Sequence, residues 1–291
     1  MKSAPFSYHA PRSTGELVAL LGQLENFKIL AGGQSLMPML NMRYVMPDHV
    51  IDINHVDSLQ RIDARPGRLE IGAMTRQRSL ERSPDIARDC PVLAEALRQV
   101  GHMQTRSRGT IGGSLCHLDP AAEQPGIAAL YDAELTVTGP GGTRQLPMSE
   151  WGLGFMTPNL GPDEILTGIA LTPWAEPHGY AFVEFARRHG DFAIVGVGCL
   201  LALDAAGSIR RAAISIVGID TQPRRLTEAE AALVGQRPGP ESFSGAGAIA
   251  AGCEALSDAQ ISSEYRQHLA GVLTRRALVL AASRAEGRQN G

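Results

Sequence analysis

The sequence contains the stretch Leu30-Ala31-Gly32-Gly33-Gln34-Ser35-Leu36, and a similar arrangement recurs in Thr110-Ile111-Gly112-Gly113-Ser114. Two adjacent glycines open backbone conformations that other residues avoid, and they remove side chains from the inner surface of a turn. Successive backbone N–H groups can then point at an anion. Each glycine pair is followed by a hydroxyl side chain and by helix-like sequence, and a helix N-terminus also favours an anion. Together the two segments predict the two halves of a diphosphate site.

Other nucleotide-binding patterns are absent from the sequence. The dinucleotide fingerprint GxGxxG does not occur, and Gly196-Val197-Gly198 lies inside a strand pattern, where it indicates close packing. The Walker A pattern of phosphate-binding loops is also missing. A single glycine pair is usually a simple turn, so the predicted diphosphate site depends on there being two.

Composition and charge exclude several classes of protein. With 27 basic and 30 acidic residues the formal net charge is −3, so neither nucleic acid nor an anionic membrane is expected as a partner. No apolar segment approaches the length of a membrane span, and the first residues lack the apolar region of a signal peptide. We therefore expect a cytoplasmic protein. Its 291 residues predict two or three domains.

The cysteines and histidines do not form a metal-binding pattern. No CxxC or HExxH motif occurs, and the cysteines are far apart, at Cys90, Cys116, Cys199 and Cys253. Buried free thiols in a reducing compartment are the simpler interpretation. No metal site is expected.

Periodicity divides the chain into three parts. Residues 1–55 predict a β-α-β unit whose helix begins at a reciprocal capping box formed by Ser13 and Glu16. Residues 56–174 combine short strands with helices around the second glycine pair, whereas residues 178–286 contain three long strands followed by helices. Strands followed by helices, without strict alternation, are typical of the α+β class.

The predicted elements are short, and a proline-bracketed linker at residues 172–177 separates the last two parts. We expect residues 286–291 to be a frayed tail. Helices are predicted at 13–24, 35–42, 92–100, 121–131, 226–233, 242–253 and 264–285. Strands are predicted at 28–30, 48–53, 60–63, 68–71, 133–137, 142–145, 165–171, 180–187, 194–203 and 209–217.

Further motifs make the sequence resemble a known family. Besides the two glycine segments these are Ile71-Gly72-Ala73-Met74-Thr75, Asp119-Pro120-Ala121-Ala122, Glu164-Ile165-Leu166 and Ala186-Arg187-Arg188-His189-Gly190-Asp191-Phe192-Ala193. In this order and spacing they resemble the FAD-binding medium subunit of the molybdenum hydroxylases, the family of carbon monoxide dehydrogenase, nicotinate dehydrogenase, quinoline oxidoreductase and xanthine dehydrogenase. The resemblance covers essentially the whole chain.

The resemblance implies a fold and a cofactor. The fold is the FAD-binding fold of the vanillyl-alcohol oxidase (PCMH) type in two subdomains, followed by a C-terminal α+β domain with a three-stranded antiparallel sheet and helices. The two glycine segments are implied to hold the pyrophosphate of FAD. The implied cofactor-binding residues are Lys28, Leu30, Ala31, Gly32, Gly33, Gln34, Ser35, Leu36, His102, Thr110, Ile111, Gly112, Gly113, Ser114, His117, Glu123, Ile165, Leu166, Asp191 and Phe192.

Several residues of this set have simpler explanations. Glu123 stands where many relatives have aspartate, and without the family it is an acid at a helix N-terminus. Phe192 stands where some relatives have tyrosine, and without the family it is a core aromatic. Asp191 is also typical of a turn. His102 and His117 flank the second glycine segment and could be structural histidines.

The resemblance also implies partners. A large subunit with a molybdenum cofactor and a small [2Fe-2S] subunit would join this chain in a dimer of heterotrimers. Electrons would pass from the clusters to FAD and on to an external acceptor, so no residue of this chain is expected to be catalytic. The run Ala122-Glu123-Gln124-Pro125 favours an N-heteroaromatic primary substrate. A stand-alone flavin oxidase or reductase and a flavin-free assembly subunit are the alternatives.

Overall fold

The computed structural model describes residues 2–289, which form helices, three larger β-sheets and one short hairpin. No helix within these residues is long and apolar enough to cross a membrane. The strands are β1 (Ser7–His9), β2 (Phe27–Leu30), β3 (His49–Asp52), β4 (Ile62–Arg65), β5 (Arg68–Gly72), β6 (Glu134–Gly139), β7 (Gly142–Pro147), β8 (Gly152–Gly154), β9 (Thr157–Pro158), β10 (Ile165–Leu171), β11 (Gly179–Phe185), β12 (Val195–Leu203), β13 (Ile209–Val217) and β14 (Arg224–Arg225). The helices are α1 (Thr14–Leu21), α2 (Leu36–Asn41), α3 (Gln77–Arg82), α4 (Pro84–Asp89), α5 (Pro91–Leu97), α6 (Met103–Arg108), α7 (Ile111–His117), α8 (Glu123–Leu130), α9 (Thr227–Leu233), α10 (Pro240–Ala251) and α11 (Ser263–Gln289).

The N-terminal sheet is parallel, with β1 and β2 on either side of β3. Strand β1 was not predicted, because its three residues pair only with a strand that is distant in sequence. Helix α1 begins at Ser13, whose hydroxyl accepts from the N–H of Glu16 at 3.1 Å. The predicted reciprocal capping box is wrong in its second half. The Glu16 carboxylate reaches one residue past the cap and accepts from the N–H of Arg12 at 2.8 Å.

The middle part is an antiparallel sheet in the order β4-β5-β10-β6-β7, covered by α3 to α8. Helices α3, α4 and α6 were not predicted, because six residues are too few to show a helical repeat. The prolines that open α4 and α5, Pro84 and Pro91, were an available start signal. The predicted helix at 92–100 ends earlier, at Leu97, and the one at 121–131 begins later, at Glu123.

The C-terminal sheet contains the three predicted antiparallel strands, and the two-residue β14 adds a fourth beside β13. All nine residues of β12 are buried, because helices cover both faces of the sheet. Helix α11 runs through Gln289, so residues 286–289 are helical where a tail was predicted. The preceding turns of α11 pack against the C-terminal sheet through the buried Ala281 and Ala285. Residues 290 and 291 of the predicted tail lie outside the described residues.

Hydrophobic clusters show how the parts are joined. The largest contains α5 and α8 together with Phe182, Leu200 and Ala213 from one face of the C-terminal sheet. The opposite face packs on α9, α10 and α11 in a second cluster. A third lies beneath α1. We retain the division into residues 1–55, 56–174 and 178–286 as a proposal that follows the three sheets, although two of the clusters cross its boundaries.

Candidate cofactor-binding site

The first glycine segment connects the end of β2 to the start of α2. Gly33 has φ of +73°, a left-handed conformation that glycine adopts without penalty. Within residues 2–289, the backbone N–H groups at positions 32–35 have no hydrogen-bond acceptor. The segment therefore offers a run of consecutive donors to an external anion.

The second glycine segment is the first turn of a helix and not the loop that was predicted. The Thr110 hydroxyl caps α7 by accepting from the N–H of Gly113 at 3.0 Å. The N–H of Gly112 donates to Ala73 at 2.8 Å, and that of Ile111 donates to Thr75 at 3.2 Å. These donors are therefore used inside the protein, and the segment contributes a helix N-terminus to the site.

The two glycine segments lie against each other. A Cβ added to Gly32 would lie 2.3 Å from the carbonyl oxygen of Arg108, and one added to Gly113 would lie 3.8 Å from the Ala31 Cβ. Arg76 donates to the carbonyl of Arg108 and to the side chain of Asn54. Asn54 in turn donates to the carbonyl of Ala31 at 2.9 Å. Sequence reasoning missed Arg76 and Asn54, because only the folded chain brings them to these segments.

A cavity of about 490 Å³ opens beside the first glycine segment. Arg108 lines it, and this guanidinium has no ion-pair partner in the part of the chain that the structure describes. Free N–H donors, one uncompensated cation and a cavity fit the charge and shape of a nucleotide diphosphate. The other lining residues are Leu30, Gly32, Gly33, Gln34, Met37, Pro38 and Asn41.

Glu123 is the first residue of α8 and is almost fully buried. Burial raises the pKa of Glu123 to about 8, and the nearby carboxylates of Glu184 and Asp119 add to the effect. Glu123 is therefore the helix N-terminal acid of the simpler explanation, and it is buried. Glu184 lies on β11, in the C-terminal part of the chain, and was not among the predicted cofactor-binding residues.

The loop after β11 is exposed and lies beside α6. Phe192 is 62% exposed, so it is not a core aromatic, and Asp191 is exposed with it. A Cβ added to Gly190 would lie 2.9 Å from the imidazole of His102. The structure thus brings His102 next to this loop.

The remaining predicted residues are more dispersed. His117 ends α7 and is half-buried, and burial lowers its pKa. Ile165 and Leu166 are buried in β10, and Ile165 belongs to the cluster beneath α1. Lys28 is exposed on β2, whereas Ser35 and Leu36 begin α2. Among residues 2–289 no group of His, Cys, Asp or Glu side chains is arranged to hold a metal ion.

Replacing Thr110 with valine is expected to lower the free energy of unfolding by about 1 kcal/mol, because the N-cap acceptor for Gly113 is lost. Urea unfolding followed by far-UV circular dichroism measures the change. Thr110→Ser keeps the hydroxyl and should stay close to the wild type. A valine variant as stable as the serine variant would show that the cap is unimportant.

Comparisons with known proteins give matches over nearly the whole chain. The family described as "FAD binding domain in molybdopterin dehydrogenase" matches residues 4–174, and the CO dehydrogenase flavoprotein C-terminal domain matches residues 180–281. The carbon monoxide dehydrogenase medium chain of Hydrogenophaga pseudoflava is 34% identical over 282 residues, which are 96% of this chain and 98% of that one.

Two further proteins are similar over nearly the whole chain. Subunit alpha of the 6-hydroxypseudooxynicotine dehydrogenase complex of Paenarthrobacter nicotinovorans is 35% identical over 287 residues, 98% of this chain and 97% of that one. The structure of quinoline 2-oxidoreductase from Pseudomonas putida 86 superimposes with a TM-score of 0.94 at 32% identity, covering 98% of this chain and 99% of that one. The predicted fold class and the predicted cofactor, FAD, are thereby confirmed. The chain belongs to the FAD-binding medium subunits of the molybdenum hydroxylase family.

Proposed function

We propose that this chain is the electron-transfer subunit of a heterotrimeric molybdenum hydroxylase. A large partner subunit oxidises the substrate at a molybdenum cofactor, and a small partner subunit with [2Fe-2S] clusters delivers the electrons to this chain. Two such heterotrimers form a dimer. FAD supplies the redox chemistry, since it accepts electrons and passes them to an external acceptor, while the protein positions it. The observation that supports FAD binding in this proposal is the run of free N–H groups at residues 32–35 beside Arg108.

We assign the binding roles as follows. The N–H groups of residues 32–35 donate to the pyrophosphate, and Arg108 offsets its charge. Helix α7 begins beside the first glycine segment, so Ile111, Gly112, Gly113 and Ser114 are assigned to the site through the helix dipole and not through free N–H donors. The adenine side is held by Lys28, Leu30, Ile165 and Leu166, and the flavin side by His102, His117, Glu123, Asp191 and Phe192.

The proposed primary substrate is an N-heteroaromatic compound. Two of the similar proteins are named for quinoline and for 6-hydroxypseudooxynicotine. Because the substrate would bind to the large partner subunit, the whole complex must be assayed. Oxidation of carbon monoxide, and of no N-heteroaromatic compound tried, would reject this substrate class.

The cofactor site is tested on the full chain expressed alone. We expect a yellow protein with one FAD, which does not oxidise substrates rapidly without its partners. A colourless folded chain that rejects added FAD would favour the flavin-free assembly subunit. Rapid turnover by the isolated yellow chain would favour the stand-alone oxidase or reductase.

Arg108→Gln is expected to weaken FAD binding about tenfold, because a charge-assisted contact with the pyrophosphate is lost. Fluorescence titration with FAD measures the dissociation constant. Arg98→Gln is the matched control, since Arg98 is also exposed but does not line the cavity. Equal affinities for the two variants would contradict the role given to Arg108.

The partners are tested by co-expression with neighbouring genes. We expect this chain to co-purify with two other subunits and with molybdenum and iron. A chain that purifies alone from cells producing its neighbours would contradict the heterotrimer.

A further inference from the structure

Arg76 lies beside the second glycine segment, at the N-cap position of α3. Its backbone forms an isolated antiparallel bridge with Thr110, the residue that caps α7. One terminal nitrogen of its half-buried guanidinium donates to the carbonyl of Arg108 at 2.5 Å, and the other donates to the side-chain oxygen of Asn54 at 2.5 Å. A planar guanidinium holds two acceptors in a fixed geometry. Arg76 thus joins the end of α6 to the loop that follows β3.

Asn54 continues this connection to the first glycine segment. Its side-chain amide donates to the carbonyl of Ala31 at 2.9 Å. Asp52, which ends β3 and is buried, accepts from the backbone N–H of Asn54 at 2.9 Å and from its side-chain amide at 2.5 Å. Tyr8 of β1 donates to the other oxygen of that carboxylate at 2.6 Å. The N-terminal sheet therefore holds Asn54 in place, and Asn54 in turn holds the guanidinium of Arg76.

The carbonyl of Arg108 lies at the contact between the two glycine segments. It leaves no room for a side chain at Gly32, since an added Cβ would lie 2.3 Å from its oxygen. Among residues 2–289, the hydrogen-bond donor to this oxygen is Arg76 alone. The contact fixes the spacing between the main chain at Arg108 and the N–H groups of residues 32–35, and Arg76 is the side chain that holds it.

Arg76 and Arg108 are two neighbouring cations with different surroundings. Arg108 lines the cavity beside the first glycine segment, whereas Arg76 does not, and both terminal nitrogens of Arg76 are already used inside the protein. Burial lowers the pKa of Arg76, the charge of Arg108 adds to this effect, and Asp52 opposes it. Neither guanidinium has an ion-pair partner among the residues that the structure describes. Like charges held close together favour an anion beside them, and Arg108 is the one that can reach it.

We propose that Arg76 is a positioning residue of the FAD site: by tying the carbonyl of Arg108 to Asn54, it keeps the Arg108 guanidinium and the N–H groups of residues 32–35 at the spacing of one pyrophosphate. Arg76 has this role without touching the cofactor. Groups that are already in place lose less freedom when the ligand binds, so the affinity depends on the side chain that holds them. The inference deepens the proposed function and rests on it.

The test is the dissociation constant of FAD from the full chain, measured by flavin fluorescence for the wild type, Arg108→Gln, Arg76→Ala and the double variant. We expect Arg76→Ala to weaken binding about tenfold, like Arg108→Gln, because the Arg108 guanidinium no longer meets the pyrophosphate. The double variant should then bind only about two- to threefold more weakly than either single variant, whereas independent effects would multiply to about 100-fold. A side chain that merely stabilised the fold would leave the effect of Arg108→Gln unchanged.

Arg76→Lys separates position from charge. Lysine keeps the positive charge, but its single ammonium group on a flexible stem cannot hold both acceptors in the geometry of the guanidinium. We therefore expect it to bind FAD about as weakly as Arg76→Ala. Arg82→Ala is the matched control, since Arg82 is an exposed arginine in the last turn of the adjoining α3, and it should bind FAD like the wild type.

The outcomes separate this inference from the proposed function. Wild-type affinity in folded Arg76→Ala protein, or a double variant weakened about 100-fold, overturns the positioning role and leaves the FAD subunit intact. Full affinity in Arg76→Lys protein assigns the effect to charge and overturns it as well, as does unchanged affinity in Arg108→Gln protein. Failure of the wild type to bind FAD overturns both proposals. If Arg76→Ala does not fold, Arg76→Lys, alone and combined with Arg108→Gln, is judged by the same criteria.

Discussion

Gly32→Ala is expected to reduce FAD affinity at least 100-fold and to destabilise the protein by about 1–3 kcal/mol. The new Cβ would lie 2.3 Å from the carbonyl oxygen of Arg108 and 2.8 Å from the Gly109 Cα. Both atoms are backbone, and Arg76 holds that carbonyl by a hydrogen bond, so the neighbour cannot move aside cheaply. The first glycine segment must shift instead, and its run of N–H donors shifts with it. Flavin content after purification and urea unfolding measure the two effects.

Gly245→Ala is the matched control for this substitution. Gly245 lies inside α10, and nothing lies within 4 Å of the position of its Cβ. Alanine is favoured over glycine inside a helix by about 0.5–1 kcal/mol, so this variant should be slightly more stable and keep its flavin. Normal flavin content and stability in Gly32→Ala protein would show that the glycine segments are not in the close contact described.

Trp151→Ala is expected to lower the free energy of unfolding by about 3–5 kcal/mol. Trp151 follows β7 and is completely buried, and its indole N–H donates to the carbonyl of Leu115 in α7 at 2.8 Å. The alanine variant leaves a large cavity and removes the donor that holds α7. Because α7 begins with the second glycine segment, FAD affinity should fall as well. Chemical unfolding and FAD titration measure both changes.

Trp151→Phe separates the two contributions of this side chain. Phenylalanine fills most of the volume but cannot donate to Leu115, so its cost should be closer to the 1–3 kcal/mol of one buried unsatisfied acceptor. An alanine variant that loses less than about 1 kcal/mol would contradict a role for Trp151 in holding α7.

Features of the site that depend on adjacent residues were predicted better than features that depend on contacts between distant segments. The donors at Gly32 and Gly33 follow from residues that are adjacent in the chain, and among residues 2–289 these N–H groups have no acceptor. The error at Gly112 and Gly113 was avoidable in part, since a threonine three residues before a backbone donor is a helix-cap signal. Whether those donors remain free depends on Ala73, which is nearly forty residues away.

Three residues near the site were missed in the sequence for the same physical reason. Arg76, Asn54 and Glu184 act through contacts between segments that are far apart in sequence, and nothing in their immediate neighbours marks them. The strand that carries Glu184 and the helix that carries Glu123 were both predicted, but the contact between them was not. Exposure was equally unpredictable: Phe192 looks like a core residue by type and lies at the surface.

The shared core between the C-terminal sheet and helices α5 and α8 has a consequence for cooperativity. The face with Phe182, Leu200 and Ala213 is interior only while the FAD-binding part is folded against it. Neither matched segment, 4–174 or 180–281, therefore has a complete surface of its own. We therefore expect the chain to unfold as one thermodynamic unit. Exchanging one half between relatives should require the facing side chains of the other half to change with it.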